Sequence, residues 1–165
     1  MSDGRTVVCP GSYDPVTNGH LDIISRAASV FDRVVVGVVN NPVRKQGTLF
    51  SAEERCKFIE EATADLDNVE VEVFAELLVD FARKHHASAV VKGLRAISDF
   101  EYEFEMAQLN RLLASDIESI YIIASPNYSF LSSTGVRELA TFGGDVSELV
   151  PPAVAEALAE KGRQG

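Results

Sequence analysis

Apolar and polar positions along this chain follow two alternating periods. Thr6-Val7-Val8-Cys9 and Arg33 to Val39 are β-branched runs. The second is apolar at nearly every position, as in a strand buried on both faces. Between them Leu21, Ile24, Ala28 and Phe31 recur at helical spacing. Ser51-Ala52-Glu53-Glu54 is a capping box that opens a helix to about Thr63. Val69 to Phe74 alternates like a strand, and Leu77 to His85 reads as a short helix with Leu77, Leu78, Phe81 and Ala82 on one side. Ala89 to Val91 predicts a fourth strand that stops at Lys92-Gly93. Ser98-Asp99-Phe100-Glu101 is a second capping box, starting a long helix to about Ala114. Ser119 to Ile123 predicts the fifth strand. Ser132 or Ser133 caps a helix to about Thr141, and Pro151-Pro152 opens a last one. The tail from Lys161 to Gly165 is expected to fray.

Five strands alternating with helices predict a parallel, doubly wound α/β sheet with right-handed crossovers. No repeat, low-complexity segment or linker interrupts the 165 residues, so one domain over residues 1–165 is expected. Sheets of this kind bind ligands at the carboxyl ends of their strands. The chemically suggestive stretches all fall there. Gly11 to His20 follows the first strand, Arg44 and Lys45 the second, and Leu77 and Leu78 the third. Lys92 to Arg95 follows the fourth strand and Tyr128 to Thr134 the fifth. Chance placement would scatter them to both edges.

Composition narrows the ligand. Apolar residues make up 46% of the chain, as in an ordinary globular protein. A net charge of −10 and a pI near 4.7 argue against general binding to nucleic acid or to anionic membrane. A polyphosphate ligand would therefore need local cations and the help of a divalent ion. Cys9 and Cys56 have neither disulfide nor metal-ligand spacing, and Cys9 reads as a free core thiol in a reducing compartment. Met1 to Thr6 lacks an apolar signal core, and no apolar run approaches the ~18 residues of a membrane span. A soluble cytoplasmic protein is expected.

Three stretches carry chemistry. Cys9-Pro10-Gly11-Ser12-Tyr13-Asp14-Pro15-Val16-Thr17-Asn18-Gly19-His20 is a strand-to-helix turn. Gly11 can adopt positive φ, and Gly19 lets another group approach the backbone closely. Free N–H groups at a helix start favour anions. Such stretches are usually plain turns, but the partners further along make this one a candidate phosphate contact. In Lys92 to Glu103 two cations flank a glycine turn, and Asp99, Glu103 and Asn110 lie within about 40° of one another on the following helix. Lys92 and Arg95 could pair with those carboxylates on the surface, which contributes only ~0–1 kcal/mol. Position in the fold favours cations on phosphates instead, with the carboxylate on a sugar or bound cation. That helix has one apolar stripe of Tyr102, Met106, Leu109 and Leu113 and a second patch of Phe100, Phe104 and Ala107. The second face is expected to meet another subunit. In Tyr128 to Arg137, three hydroxyls in a row open a helix where a plain cap needs only one. No G-x-G-x-x-G, no G-x-x-x-x-G-K-[ST] and no nucleophile elbow occurs, which disfavours a dinucleotide dehydrogenase, a P-loop NTPase and a serine hydrolase.

Thr17-Asn18-Gly19-His20 resembles the T/H-x-G-H motif of the nucleotidyltransferase superfamily, and Ser132-Ser133-Thr134-Gly135-Val136-Arg137 resembles its S-S-T-x-x-R motif. Lys92 to Glu103, together with Pro10 to Pro15 and Gly143-Gly144-Asp145-Val146, is similar to the bacterial phosphopantetheine adenylyltransferases over about Val7 to Pro152. The resemblance implies a Rossmann-like nucleotidyltransferase fold. It also implies adenylyl transfer from ATP to 4′-phosphopantetheine, giving dephospho-coenzyme A (dephospho-CoA) and pyrophosphate. Mg2+ held mainly by the ATP phosphates, a homohexamer, and feedback inhibition by coenzyme A (CoA) are further implications. By resemblance His20 contacts the ATP phosphates and stabilises the transition state. Ser12 and Tyr13 touch ATP, with Ser12 also near the acceptor phosphate. Arg44 stands where the family has a lysine, Leu78 lines the pantetheine arm and Lys92 holds the acceptor phosphate. Gly93, Leu94, Arg95, Glu103, Tyr128, Ser129, Phe130, Leu131, Ser132, Ser133 and Thr134 line the ATP site.

Some positions depart from that pattern. Ser12 is often threonine. The Arg44 to Leu49 loop is about two residues longer, so Arg44 and Lys45 compete for one role. Thr134-Gly135 replaces Ser-Leu. Two rival readings are another small-molecule nucleotidyltransferase, such as one acting on nicotinate mononucleotide, and a non-catalytic ATP-binding sensor.

Overall fold

The computed structural model describes residues 4–43 and 47–164. Arg44 and Lys45, the two candidates for the family's lysine, lie outside the described residues. Five strands form one parallel sheet: β1 (Thr6–Gly11), β2 (Arg33–Val39), β3 (Val69–Phe74), β4 (Ala89–Leu94) and β5 (Glu118–Ile123). Their order is β3-β2-β1-β4-β5. The helices are α1 (Asn18–Val30), α2 (Ala52–Ala62), α3 (Leu78–Lys84), α4 (Ile97–Leu113), α5 (Ser133–Thr141) and α6 (Pro152–Gln164). A single 3-10 turn covers Pro126–Tyr128. This is the expected doubly wound α/β sheet.

Alternation along the strands builds two cores. Val7 and Cys9 of β1, with Val34, Val36 and Val38 of β2, face Ile24 and Ala27 of α1, Ile59 of α2, Val136 of α5 and Val154 and Leu158 of α6. Val8 and Val35 face the other way, onto Val79, Phe81 and Ala82 of α3 and onto Ala114. Burial on both faces explains why β2 is apolar at consecutive positions. The Ser51 capping box is present: Ser51 Oγ accepts from the Glu54 amide, and the Glu54 carboxylate accepts from the Ser51 amide.

Several expectations need correction. α3 buries Val79, Phe81 and Ala82, while Leu77 is largely exposed and Leu78 half-buried. Phe81 and Ala82 are buried as predicted, and Val79 takes the place expected of Leu77 at the start of the helix. β4 runs three residues beyond Val91, because Lys92, Gly93 and Leu94 keep pairing with Tyr121, Ile122 and Ile123. α4 begins at Ile97 with Ala96 at its N-cap, so Ser98 already lies inside the helix and is no cap. α6 continues through Gln164 rather than fraying at Lys161. There the Lys161 ammonium sits 5.0 Å over the Phe50 ring, a contact that favours ordering the last turns.

The topology opens the sheet at one place. The chain runs outward from β1 to β3 on one side, then restarts at β4 on the other. β1 and β4 pair only at Val7–Ala89 and Val8–Val90. Beyond those pairs the two strands part, leaving a crevice at their carboxyl ends, where such sheets take their ligands.

Glycine is required at Gly37, in the middle of β2. A Cβ there would lie 2.7 Å from Phe81 Cε1 and 3.0 Å from Phe74 Cε1, and those two rings are stacked with centroids 4.4 Å apart. Gly37→Ala is expected to lower stability by about 1–3 kcal/mol through overpacking. Urea unfolding measures this, and an unchanged midpoint would contradict it.

Candidate active site

The crevice between β1 and β4 is a cleft of about 420 Å³. It is lined by the turn after β1, the first turn of α1, the end of β4, the start of α4 and the hydroxyl-rich start of α5. His20, Lys92 and the Ser132-Ser133-Thr134 cap therefore share one cavity. Ser12, Tyr13, Gly93, Arg95, Glu103, Tyr128 and Leu131 line it too.

The turn after β1 is built around Tyr13. Its φ is 48°, a conformation that costs a non-glycine residue about 1–3 kcal/mol. The buried ring offsets this cost, with its hydroxyl donating to the Cys9 carbonyl at 3.0 Å. Gly11 lies in β1 and does not use the positive φ open to it. Its lack of a side chain matters for another reason: a Cβ would stand 2.9 Å from the Tyr13 ring. At Gly19 a Cβ would make only ordinary contacts with Thr17, Tyr128 and Leu131.

His20 is held in one tautomer. Thr17 caps α1, and its Oγ1 accepts from the His20 amide at 3.3 Å. The Thr17 amide in turn donates to His20 Nδ1 at 3.0 Å. An amide can only donate, so Nδ1 is the acceptor and the imidazole proton resides on Nε2. The ring is thus a hydrogen-bond donor as well as half of a capping box. The Tyr13 ring meets it edge-on, centroids 5.0 Å apart.

Both cations of the β4–α4 turn are already paired. Lys92 Nζ lies 3.0 Å from Glu103 Oε2. Arg95 Nε lies 3.0 Å from Asp99 Oδ2, and Nη1 donates to the Leu131 carbonyl at 2.7 Å. The pairs of the surface reading are present, and all four residues form part of the cleft wall. Gly93 is needed because Ile23 packs onto it; a Cβ would lie 2.9 Å from Ile23 Cγ1. Ile23 follows His20 by three residues on the same helix face, the one sequence signal that could have found it.

The three hydroxyls of α5 do different work. Ser132 Oγ accepts from the Gly135 amide at 3.0 Å and caps the helix. Ser133 Oγ donates to the Pro15 carbonyl at 2.8 Å, tying α5 to the turn after β1. Thr134 Oγ1 is 3.5 Å from Arg137 Nη2. Arg137 itself is drawn to Asp14, donating to its carbonyl at 2.9 Å and to Oδ2 at 3.0 Å.

Some residues assigned by resemblance stand elsewhere. Leu94 borders a second groove with Phe100 and Phe104. Phe130 is largely exposed beside α5. The Ser129 hydroxyl donates to the Pro126 carbonyl, and Leu78 packs against the α3 core. None of these four lines the cleft. Among the described residues no three His, Cys, Asp or Glu side chains converge as metal ligands. Cys9 borders the cleft with its thiol pushed up to about 12 by burial, so it stays protonated near neutral pH. Cys56 is likewise raised, to about 11, chiefly by burial.

Residues 8–139 match the cytidylyltransferase-like family model. A phosphopantetheine adenylyltransferase of Streptomyces coelicolor is 55% identical over 95% of this chain and 97% of its own. One of Rubrobacter xylanophilus is 58% identical over 92% and 91%. The chain belongs to the phosphopantetheine adenylyltransferase family. A third member, from Caldanaerobacter subterraneus, is 52% identical over 95% of this chain and 97% of its own. A solved structure from Vibrio parahaemolyticus, provisionally named a nicotinate-nucleotide adenylyltransferase, superposes with a TM-score of 0.69 at 17% identity. It covers 96% of this chain and 93% of its own, and that likeness shows the fold alone.

The family's cleft here is braced by Asp14, a residue that sequence reading passed over as part of a turn. Its carboxylate is fully buried and accepts from the Leu49 amide at 2.8 Å, the Phe50 amide at 2.9 Å and Arg137. Asp14→Ala would remove the acceptor of the half-buried Arg137 guanidinium and of the Leu49 and Phe50 amides. It is expected to cost about 1–3 kcal/mol, the penalty of an unsatisfied buried donor, in urea or thermal unfolding, and an unchanged midpoint would contradict this role.

Proposed function

We propose that this chain transfers the adenylyl group of ATP to 4′-phosphopantetheine, releasing pyrophosphate and forming dephospho-CoA. Membership of a family in which three relatives at 52–58% identity bear the name phosphopantetheine adenylyltransferase carries the reading. The shared cleft of His20, Lys92 and the α5 cap supports it. The acceptor phosphate is already an anion, so its oxygen attacks the α-phosphorus without a general base, and the bond to pyrophosphate breaks in line. This fits a cleft whose carboxylates, Asp99 and Glu103, are both engaged by cations.

Magnitudes apportion the work. Enzymes lower barriers by about 8–23 kcal/mol. A helix N-terminus supplies ~0.3–2 kcal/mol, and hydrogen bonds to charged groups ~1.5–3 kcal/mol each. Aligning two reactants supplies ~7–11 kcal/mol, so positioning is the largest share. Nε2–H of His20 donates to charge developing on the α-phosphate. Lys92 holds the acceptor phosphate, exchanging part of its pairing with Glu103. Arg95 and the α5 cap line the ATP side, and Arg44 and Leu78 belong to the acceptor side by resemblance. Mg2+ carried on the ATP phosphates, as the resemblance implies, would offset their charge.

A homohexamer, inhibition by CoA and a cytoplasmic location are further parts of this proposal. Exposed Phe100, Phe104, Leu109, Leu112 and Leu113 on α4 support burial of that helix between subunits. No helix among the described residues is long and apolar enough to cross a membrane.

Pyrophosphate release from ATP, assayed with 4′-phosphopantetheine, nicotinate mononucleotide and no acceptor, tests the reading. Release with 4′-phosphopantetheine alone is expected, whereas release only with another acceptor, or ATP binding without turnover, would contradict it. His20→Ala is expected to lower kcat roughly 10²–10³-fold, as loss of an oxyanion donor does. Lys92→Ala should chiefly raise KM for 4′-phosphopantetheine; an equal rise in KM for ATP would contradict its assignment.

A further inference from the structure

The largest fully buried side chain among the described residues is a cation, Arg55 of α2. Its Nε–H is shared between the Phe50 and Ser51 carbonyls at 3.1 and 3.2 Å. Nη1 donates to the Ser12 carbonyl at 2.7 Å and to the Val39 carbonyl at 2.8 Å, and Nη2 to the Asn40 carbonyl at 3.0 Å. All five partners are main-chain oxygens. Arg55 takes part in none of the ion pairs among the described residues.

A buried cation without a carboxylate is an expensive way to fill a core. Apolar side chains of similar volume commonly stabilise as well or better. What an apolar side chain cannot do is hold carbonyls from separate segments in fixed relation. The guanidinium fork does this at the sheet's carboxyl rim. It joins the turn after β1, the end of β2 and the start of α2, and the first of these carries Ser12, which lines the cleft. Asp14 grips the Phe50 amide from the other side, so the peptides flanking Phe50 are fixed by one residue of the turn and one of α2.

We propose that Arg55 is a positioning residue for the adenylyl transfer, acting through the Ser12 carbonyl to hold the turn after β1 in its reactive place. This rests on the adenylyltransferase reading. The geometry of the fork, and not its charge alone, is what matters. Lysine has three donors at one point and cannot span these carbonyls. A displaced contact near the reacting atoms costs up to about 10²-fold in rate.

The test is steady-state kinetics of the full-length protein, Arg55→Lys and Arg55→Met, each alone and combined with Ser12→Ala, with folding followed by circular dichroism. Arg55→Lys is expected to lower kcat about 10- to 100-fold with KM for ATP within about twofold of the unsubstituted protein, the scatter of independent sites. Ser12→Ala is expected to cost less than about half as much in the R55K background as alone, since coupled residues are not additive. Full kcat in Arg55→Lys, or a Ser12→Ala penalty undiminished in its background, would overturn the proposal. Loss of folding in both variants would also overturn it, because the fork would then be serving the core and not the turn. An unsubstituted protein that releases no pyrophosphate would sink the adenylyltransferase reading itself. Undiminished turnover in Arg55→Lys would sink only the role of Arg55.

Discussion

A carboxylate taken wholly out of water is stable only when donors surround it, and Asp14 has three. Two are amides of the loop after β2 and one is the guanidinium of Arg137 on α5. The carboxylate therefore binds three strand ends together: its own turn after β1, the loop after β2 and the helix that follows β5. Arg137 also donates to the Asp14 carbonyl, and Ser133 to Pro15 next door. These bonds keep the α5 cap at the same rim as His20. Without them the topological gap between β1 and β4 would still exist, but its far wall would have no fixed place.

The cleft is built from groups that already have protein partners. His20 caps its own helix, Lys92 and Arg95 pair with carboxylates, Ser132 caps α5 and Ser133 tethers it. Each role is structural, and each also fixes the direction in which the group can act. Donors held in place before substrate arrives need little reorganisation when charge moves. Binding by two polyanions would turn the cations partly from carboxylates to phosphates. Catalysis by alignment needs this preorganisation more than it needs an acid–base pair.

How far the sequence foretold this depends on whether a residue acts locally. Arg33 to Val39, the Ser51 box and the five-strand pattern were legible because burial and capping leave periodic or short-range marks. The grouping of Gly11 to His20, Lys92 to Arg95 and Tyr128 to Thr134 at one rim was legible because parallel sheets place loops by rule. Asp14 and Arg55 were not, since their partners are distant in the chain and one charged residue in a turn or helix looks solvated. Tyr13, not Gly11, takes the positive φ because the buried ring's contacts outweigh the local cost. The Ser98 box failed because the helix starts two residues earlier, with Ala96 as its N-cap, just after β4's extended pairing with β5. Leu94, Phe130, Ser129 and Leu78 rest on resemblance alone, and they are not among the residues lining this cleft.

The central claim is that both reactants meet in this one cleft and react directly. Isotope exchange tests it without mutating anything. Labelled pyrophosphate should enter ATP only when dephospho-CoA is present, because the adenylyl group then passes from one bound reactant to the other. Exchange from ATP and pyrophosphate alone, with no acceptor in the mixture, would reveal an adenylylated protein and contradict the account.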